Sequence, residues 1–380
     1  MSIKRVFVDP EVAQEEVVLA IKKAGLELDP ESSPELNKHY RSGKHDLHII
    51  PKKGEIMDTC ATISEKYICC NVKVLKSVSN CPYDCSYCFL QNYLNDGTTK
   101  VVGDEKALMD EVREKCEAEP NRLFRIGTWE LGDSLALEQE TGQAGRLIQE
   151  FATIPNAFLE LKTKSSIVDP ILNINHHKKT VVSWSLNTEH IIHHQEHKTA
   201  RLHERLEAIK KVADKGYLIG LHFDPMIFHE GWKVGYQSLI KQVFKHVSAP
   251  SIAWISVGSL RFNPEMKTKM EENFPASTLT AEEMVLGDDG KMRYVKPQRL
   301  DLYDWFFACL KEALGVLDLS PLGGFSANKP LIYYCMERWD VWDHTFDNHP
   351  ESISHLDYLF AESMYVRYPE VGLEKPSRRC

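Results

Sequence analysis

Short runs of apolar and β-branched residues alternate with amphipathic stretches from about residue 66 onward. The apolar runs predict six strands, at residues 67–75, 122–128, 157–164, 180–187, 217–225 and 251–259. Stretches with helical periodicity lie between them, at residues 105–119, 141–154, 199–216 and 231–247. This alternation is typical of βα units that build a parallel sheet. We therefore expect an α/β fold, a partial (β/α)6 barrel of the TIM type, because the chain past residue 260 does not supply two further repeats cleanly.

The chain on either side of these repeats follows other patterns. The N-terminal part is polar and charged, with one helical stretch between Pro10 and Leu26. Near the other end, two β-like runs flank Asp288-Asp289-Gly290, and Asp-Gly between such runs is a hairpin signal. A helix follows, and the tail from Ser320 reads as irregular and rich in aromatic residues. We predict three parts: an N-terminal extension or cap at 1–55, the barrel at 56–275, and a C-terminal hairpin, helix and tail packed on the barrel at 276–380.

Charge and cysteine content narrow the functional class. The 380 residues carry 46 basic and 55 acidic side chains, a net charge of −9 that argues against broad non-specific nucleic-acid binding but permits a local basic groove. No apolar run approaches the length of a membrane span, and the N-terminus lacks the apolar core of a signal peptide. We expect a cytoplasmic protein with no membrane partner. Its ten cysteines then argue for reduced thiols that can bind metal rather than for a disulfide framework.

Three of these cysteines lie within eight residues. Cys81, Cys85 and Cys88 follow the first predicted strand with Cys-x3-Cys-x2-Cys spacing. In parallel βα folds, the loops after the carboxyl ends of the strands build the active site. Thiolates are the usual ligands of iron–sulfur clusters, and three of them leave one iron of a four-iron cluster open to a small molecule. The alternative is a non-enzymatic zinc-binding module whose fourth ligand is one of three nearby cysteines, Cys60, Cys69 or Cys70.

The cysteine motif, with Tyr87 before its last cysteine, resembles the signature of the radical S-adenosylmethionine superfamily. This resemblance implies that Cys81, Cys85 and Cys88 hold a [4Fe–4S] cluster and that S-adenosylmethionine binds its open iron. Reductive cleavage would then give a 5′-deoxyadenosyl radical, with electrons from a donor such as flavodoxin or ferredoxin. The partial barrel predicted above is similar to the core of that superfamily.

Four further stretches between Gly54 and Leu314 resemble the spore photoproduct lyase family. They are CSYCFLQ at the cluster motif, LKTKSS and SWSLN at the third and fourth predicted strands, and DPMIFHEGWKVGY at residues 224–236. The resemblance implies a lyase-type DNA-repair enzyme whose partner is DNA with a damaged pyrimidine. The alternative is the same radical chemistry on RNA, a nucleotide or another small substrate.

The resemblance also implies ligands for the cofactor. Lys164 would reach the carboxylate of S-adenosylmethionine, and Ser185 and Asn187 would form hydrogen bonds with the same molecule. Glu130, after the second predicted strand, would bind its amino group. The position of Lys164 supports this independently, because a lysine that ends an otherwise apolar strand must point into a polar space or a binding site.

Candidate substrate contacts lie in two places. His229 and Glu230 follow the fifth predicted strand, where the alternative is a structural turn at the start of a helix. Lys291 and Arg293 lie in the predicted hairpin, and a similar hairpin in the lyase inserts into DNA at the lesion. A solvated hairpin is the alternative explanation of these two charges.

Two positions depart from the family pattern. The lyase has a cysteine after its second strand that returns a hydrogen atom to the product, whereas this chain has Glu130 there. No cysteine lies between Cys116 and Cys309. The lyase also has a tyrosine directly after the third cluster cysteine, where this chain has Phe89. We expect Tyr87 and Glu130 to be the catalytic candidates and the hydrogen to return by another route, either from 5′-deoxyadenosine or from one of three side chains, Tyr87, Cys309 or Cys335.

Overall fold

The computed structural model describes residues 3–37, 40–60 and 67–377. The strands are β1 Arg5–Val8, β2 Asp46–Ile50, β3 Met57–Thr59, β4 Tyr67–Ile68, β5 Lys73–Leu75, β6 Val78–Ser79, β7 Asp84–Cys85, β8 Thr99–Val102, β9 Phe124–Gly127, β10 Ala157–Thr163, β11 Thr180–Ser185, β12 Glu196–His197, β13 Leu218–Met226, β14 Ile252–Ser259, β15 Arg261–Phe262, β16 Met284–Leu286, β17 Met292–Tyr294, β18 Leu331–Tyr334 and β19 Glu337–Arg338.

Twelve α-helices lie within the described ranges. They are α1 Glu16–Lys23, α2 Leu90–Tyr93, α3 Glu105–Ala118, α4 Glu138–Thr141, α5 Gln143–Phe151, α6 Glu189–Gln195, α7 Leu202–Asp214, α8 Trp232–His246, α9 Met266–Asn273, α10 Lys296–Leu314, α11 Trp339–Phe346 and α12 Ile353–Arg367. None of the described helices is long and apolar enough to cross a membrane.

Helix α3 shows how local sequence sets these bounds. The side chain of Asp104 accepts a hydrogen bond of 3.0 Å from the backbone N–H of Ala107, which caps the N-terminus of the helix. Leu108, Val112 and Cys116 recur at intervals of four residues and are buried. One face of the helix is therefore apolar, as its amphipathic pattern predicted.

The chain divides into two compact units. The first comprises Met1–Cys60, Val72–Thr180 and Glu196–Ala200, and the second comprises Ala61–Asn71, Val181–Gln195 and Arg201–Cys380. The three predicted parts, with boundaries at 55/56 and 275/276, stay a prediction.

The first unit contains four strands of the main sheet, in the order β10-β9-β5-β3. Strands β10, β9 and β5 are parallel, and β3 pairs with β5 in the antiparallel direction. All four residues of β9 are buried, and so are six of the seven in β10. Strands buried on both faces read as continuous apolar runs, which is why the sequence located β9 and β10 to within two residues.

A second sheet of this unit has the order β1-β2-β8-β6. It joins two strands of the predicted N-terminal extension to residues much later in the chain, with Leu47 opposite Thr99 in the parallel β2–β8 pair. Val6, Ile21, Leu47 and Val101 lie in one buried apolar cluster. Strands β1 and β2 and helix α1 are therefore packed into the first unit.

The second unit contains four parallel strands in the order β18-β14-β13-β11. Strand β18 lies in the tail that was predicted to be irregular, and Trp254 of β14 pairs with Leu331 of β18. That prediction was wrong, since α11 and α12 also form there. A four-residue apolar run is too short to be identified as a strand until its pairing partner is known.

Two further predictions have different outcomes. The hairpin is confirmed, with β16 and β17 antiparallel and Asp289 and Gly290 in the turn between them. The single strand at 67–75 is wrong, because Asn71 has a left-handed backbone (φ +50°) that separates β4 from β5. Strand β4 instead pairs with β19.

Candidate functional site

The cysteine loop, residues 80–91, is anchored at several points within the first unit. Asn80 has a left-handed backbone (φ +69°), and its side chain accepts a hydrogen bond from Cys81 N (2.8 Å) and donates one to the carbonyl of Gly97 (2.6 Å). Strand β7 within the loop pairs with β12, which places Cys85 opposite Glu196. The backbone N–H of Cys88 donates to the carbonyl of Cys85 at 3.1 Å. The loop that carries the three cysteines thus has a defined conformation.

The three thiols are free, with Cys81 and Cys85 buried and Cys88 half-buried. Burial raises the pKa of Cys85 to about 12, and it raises the pKa of Cys81 well above the usual value. Two lysines oppose this effect, since Lys164 lowers the pKa of Cys85 and Lys44 lowers the pKa of both thiols. Metal ligation requires thiolates, so these lysines favour the ligand form. In the described ranges, no group of three or more His, Cys, Asp or Glu side chains is arranged to hold a single metal ion.

A buried carboxylate, Asp84, connects the cysteine loop to two other segments of the first unit. Arg41 lies 2.9 Å from one of its oxygens, and Lys44 and Lys198 lie 3.5 Å from it. These cations lower the pKa of Asp84 although burial acts in the opposite direction. The carboxylate is therefore ionised at neutral pH and links the N-terminal segment, the cysteine loop and the segment after β12.

Tyr87 and Lys164 lie beside the cysteine loop. The hydroxyl of Tyr87 donates a short hydrogen bond to Glu196. Lys164 follows β10 directly, and its Nζ lies 5.5 Å from the centroid of the Tyr87 ring. The predicted position of Lys164 at a strand end next to the thiols is thus observed. Its contact with a cofactor carboxylate stays a prediction.

Two carboxylates of the loop after β9 have different surroundings. Glu130 interacts with Cys60 and Lys76, and burial raises its pKa. Asp133 accepts hydrogen bonds from Thr163 Oγ1 (2.6 Å) and Lys164 N (2.7 Å), and its charge raises the pKa of Cys81. Asp133 was not among the residues singled out from the sequence. Asp133 therefore lies close to the thiols, and the cofactor role of Glu130 stays a prediction.

In the second unit, Ser185 and Asn187 are both buried. The amide oxygen of Asn187 accepts hydrogen bonds from Tyr236 Oη (2.9 Å) and Thr188 N (3.0 Å), and its amide nitrogen donates to the carbonyl of Pro225 at 2.8 Å. The carbonyl of Ser185 accepts from Arg205 at 2.8 Å. Asn187 thus has a structural role in the described residues, and the cofactor contacts of both residues stay predictions.

His229 and Glu230 lie between β13 and α8. The Nε2 of His229 is 2.8 Å from the hydroxyl of Thr188, and its ring stacks on His190 with centroids 4.6 Å apart. Burial lowers the pKa of His229, so the ring is neutral at physiological pH. Glu230 is exposed. This arrangement matches the turn that was the alternative to a substrate contact.

The basic residues of the hairpin are largely paired within the protein. Arg293 is buried, forms an ion pair with Asp289, and lies with its guanidinium 4.6 Å from the centre of the Tyr67 ring. Lys291 is half-buried, with Nζ 3.6 Å from the sulfur of Met336, and burial lowers its pKa. Both basic side chains thus have partners within the protein, and the substrate roles of Lys291 and Arg293 stay predictions.

Sequence reasoning named Cys335 but did not predict that it lies in a polar group at the carboxyl ends of three parallel strands of the second unit. Asp224, near the end of β13, accepts two hydrogen bonds from Arg261, at 2.7 and 3.2 Å. The same guanidinium donates to the sulfur of Cys335 at 3.1 Å, and Cys335 directly follows β18. The carboxyl ends of the strands in this fold class carry catalytic residues. The missed strand β18 explains why Cys335 could not be placed from the sequence.

Comparison with known proteins identifies one family. The family model described as spore photoproduct lyase matches residues 31–303. The spore photoproduct lyase of Clostridium acetobutylicum is 26% identical over 229 residues, which is 58% of this chain and 67% of the relative. The Bacillus subtilis (strain 168) enzyme of the same name is 25% identical over 249 residues, or 65% of this chain and 71% of the relative.

Solved structures agree with the fold class. A spore photoproduct lyase mutant with bound AdoMet and dinucleoside spore photoproduct has a TM-score of 0.73 at 21% identity, covering 87% of this chain and 97% of that one. A spore photoproduct lyase complexed with dinucleoside spore photoproduct has a TM-score of 0.72 at the same identity and coverage. The predicted α/β partial barrel is thereby confirmed.

Proposed function

Because the chain belongs to the spore photoproduct lyase family, we propose that it is a radical S-adenosylmethionine enzyme of the lyase type that acts on a damaged pyrimidine in DNA. The cysteine loop is the observation that carries this proposal. Three free thiols lie on one anchored loop, and two lysines favour the thiolate form of Cys81 and Cys85. The cofactors of this proposal are a [4Fe–4S] cluster and S-adenosylmethionine.

The residues present fit a cluster of this kind. Cys81, Cys85 and Cys88 would hold it, and Lys164 would bind the carboxylate of S-adenosylmethionine. When bound, the two groups supply the radical that removes a hydrogen atom from the substrate. Asp84 and its cations hold the loop in place, and the hydrogen bond between Tyr87 and Glu196 fixes the ring beside Lys164.

The substrate we propose is a dinucleotide-sized lesion, with few contacts to the DNA on either side. Arg293 is neutralised by Asp289 within the hairpin, and Arg299 lies 3.2 Å from the carboxylate of Glu337. Binding to long DNA depends on unpaired basic groups that contact phosphates. The same observation favours, as a second candidate, radical chemistry on a nucleotide or another small substrate.

We expect the anaerobically reconstituted protein to form 5′-deoxyadenosine from S-adenosylmethionine and to convert dinucleoside spore photoproduct. Lys164→Met should weaken S-adenosylmethionine binding by about tenfold or more, because a charge-assisted hydrogen bond to a carboxylate is lost. The measurements are equilibrium binding of S-adenosylmethionine and quantification of 5′-deoxyadenosine. Lys162→Met, two residues earlier on the same strand, is the matched control.

Two outcomes separate the candidates. Formation of 5′-deoxyadenosine without conversion of the dinucleoside would favour the second candidate. A reconstituted protein that binds zinc in place of an iron–sulfur cluster and forms no 5′-deoxyadenosine would contradict both.

The return of hydrogen to the product is assigned in this proposal to Cys335. Its thiol lies at the carboxyl end of β18 and accepts a hydrogen bond from Arg261, whereas Cys309 is buried within α10. Transfer breaks the S–H bond and forms a C–H bond on the product radical, which leaves a thiyl radical. The thiyl would then be reduced to the thiol by one electron from the flavodoxin or ferredoxin donor and one proton from solvent.

Deuterium labelling tests this route. A thiol exchanges its hydrogen with solvent, so the native protein in D2O should give product that carries deuterium from Cys335. Cys335→Ser should give at least tenfold less labelled product, as expected when a group that transfers hydrogen is removed, while Cys309→Ser behaves as native. Equal labelling by the native protein and Cys335→Ser would rule out this assignment and leave the lyase proposal in place.

A further inference from the structure

Three cations converge on the buried carboxylate of Asp84, within the part of the first unit that the structure describes. A guanidinium nitrogen of Arg41 lies 2.9 Å from an oxygen of this carboxylate, and the Nζ atoms of Lys44 and Lys198 each lie 3.5 Å from one of its oxygens. Lys44 is fully buried, whereas the side chain of Arg41 is 42% exposed and that of Lys198 is 36% exposed. One carboxylate offsets one positive charge, so the group has a surplus of positive charge that reaches solvent at Arg41 and Lys198.

Strand pairing places Lys198 beside the cysteine loop. Asp84 directly precedes Cys85 in β7, and the antiparallel pairing of β7 with β12 puts His197 opposite Asp84. Lys198 follows His197 in a left-handed backbone conformation (φ +65°). The ammonium group of Lys198 therefore lies next to a residue that adjoins a predicted cluster ligand.

The segment that carries Arg41 is held against the same loop. Lys44, three residues later, donates a short hydrogen bond to the carbonyl of Tyr83 and lies 3.9 Å from the centroid of the Tyr40 ring. The guanidinium of Arg41 also donates a hydrogen bond of 2.9 Å from Nε to Asp84. The two exposed cations thus come from segments far apart in sequence, and the fold brings both to the cysteine loop.

We propose that Arg41 and Lys198 form the docking surface for an acidic electron-transfer protein, such as a flavodoxin or ferredoxin, that reduces the cluster. This inference rests on the proposed function, because it requires the cluster. The donor loses one electron and the cluster gains it, with no other reactant. Electron transfer between proteins falls off steeply with distance, so the donor must dock close to the cluster ligands.

Charge complementarity supports this kind of partner. The whole chain has a net charge of −9, so an acidic donor is repelled on average and is attracted to a local positive surface. Complexes of electron-transfer proteins have small, transient interfaces, and a few charged side chains near the redox centre are sufficient for them.

DNA is the other anionic partner to consider. A duplex has one negative charge per about 1.7 Å of its axis, so proteins that bind it present several cations along a line. Arg41 and Lys198 instead lie around a single carboxylate, which suits a compact acidic surface better than a phosphate backbone. Both substrates considered for this protein also require the same reduction of the cluster, so the donor surface is needed in either case.

The double variant Arg41→Gln, Lys198→Gln tests the proposal with two reductants. One is reduced flavodoxin, and the other is photoreduced 5-deazariboflavin, a small uncharged molecule that needs no docking surface. The KM for flavodoxin in the formation of 5′-deoxyadenosine should rise about tenfold, the lower end of the effect of electrostatic steering on association. The ratio of the flavodoxin-driven rate to the deazariboflavin-driven rate, at limiting flavodoxin, should fall by the same factor. Added salt should slow the flavodoxin-driven reaction of the native protein more than that of the variant.

Two further variants serve as controls. Lys106→Gln, Arg113→Gln removes the same two charges from ion pairs on α3 of the same unit, where the side chains are 85% and 35% exposed. It should keep the native KM for flavodoxin. Arg41→Lys, Lys198→Arg keeps both charges beside Asp84 and should also have a KM close to native.

The possible failures are distinguishable. If native protein forms no 5′-deoxyadenosine with deazariboflavin, the proposed function fails and the inference with it. If native protein is active and the Gln variant has the native KM for flavodoxin, the inference alone is wrong. Equal losses with both reductants would show that the two cations only hold the cysteine loop, which would also overturn it. Weaker binding of a lesion-containing oligonucleotide, with an unchanged KM for flavodoxin, would assign the surface to DNA instead.

Discussion

Replacing any one of Cys81, Cys85 or Cys88 by alanine is expected to abolish stable iron–sulfur binding and all formation of 5′-deoxyadenosine. The proposed cluster has these three thiols as its ligands, so a variant with two cannot hold a four-iron cluster with a single open iron. Iron and sulfide content after anaerobic reconstitution, with the ultraviolet–visible spectrum, measures the loss. This is the largest effect we predict, because it is a complete loss and not a reduction.

Cys70→Ala is the matched control for the cluster ligands. Cys70 is a half-buried cysteine that belongs to the second unit, whereas the cysteine loop belongs to the first. This variant should retain the native iron content. Loss of iron in Cys70→Ala together with retention in Cys81→Ala would show that the ligands have been assigned wrongly.

The second large effect concerns folding stability. Glu160 lies buried in β10 and forms two hydrogen bonds of 3.0 Å with the guanidinium of Arg125 on β9. It also accepts a hydrogen bond of 3.0 Å from the indole of Trp129. We expect Glu160→Gln to lower the free energy of unfolding by about 3–5 kcal/mol, because it leaves the charge of Arg125 buried and uncompensated.

Chemical denaturation of the metal-free protein measures this effect. Glu150→Gln is the control, since it breaks an ion pair with Arg113 in which both side chains are about a third or more exposed. Such exposed pairs contribute about 0–1 kcal/mol. The double variant Arg125→Met, Glu160→Leu should recover part of the loss because no buried charge remains. Equal destabilisation by Glu160→Gln and Glu150→Gln would contradict the prediction.

The buried Arg125–Glu160 pair also lies next to the candidate functional site, through Trp129. Trp129 begins the loop that contains Glu130 and Asp133, and Lys162 lies 3.7 Å from the centroid of the Trp129 ring. Nothing in the sequence around Arg125 and Glu160 marks them as partners, since 34 residues separate them. Only the parallel pairing of β9 with β10, which places Arg125 opposite Phe158, brings the two side chains to one face.

The N-terminal segment shows the same limit of sequence reasoning. Its polar and charged composition predicted a loosely held extension, because composition reports solvent exposure on average. The structure buries Lys44 completely, and three cysteines of the loop raise the pKa of the Tyr40 phenol. A lysine buried beside a carboxylate and a carbonyl cannot be distinguished by sequence from one in solvent.

The hairpin illustrates a prediction that was right in structure, while the substrate role of its basic residues stays a prediction. Asp-Gly between two β-like runs located the turn correctly, since that turn geometry depends on local residues. The positive charge of Arg293 suggested a phosphate contact. In the structure its guanidinium pairs with Asp289 and lies over the ring of Tyr67. Whether a charge faces solvent or an internal partner depends on neighbours distant in sequence.

The sequence by itself determined the α/β class, five of the six predicted strands and the cysteine spacing. Strand periodicity and ligand spacing are local properties, so they can be recognised from the sequence alone. Only the tertiary structure decided that a tail strand joins the parallel sheet, which brings Cys335 to its carboxyl end beside Arg261. Only the tertiary structure placed Tyr40 and Lys44 against the cysteine loop, because contacts between segments far apart in sequence follow from packing and leave no periodic signal.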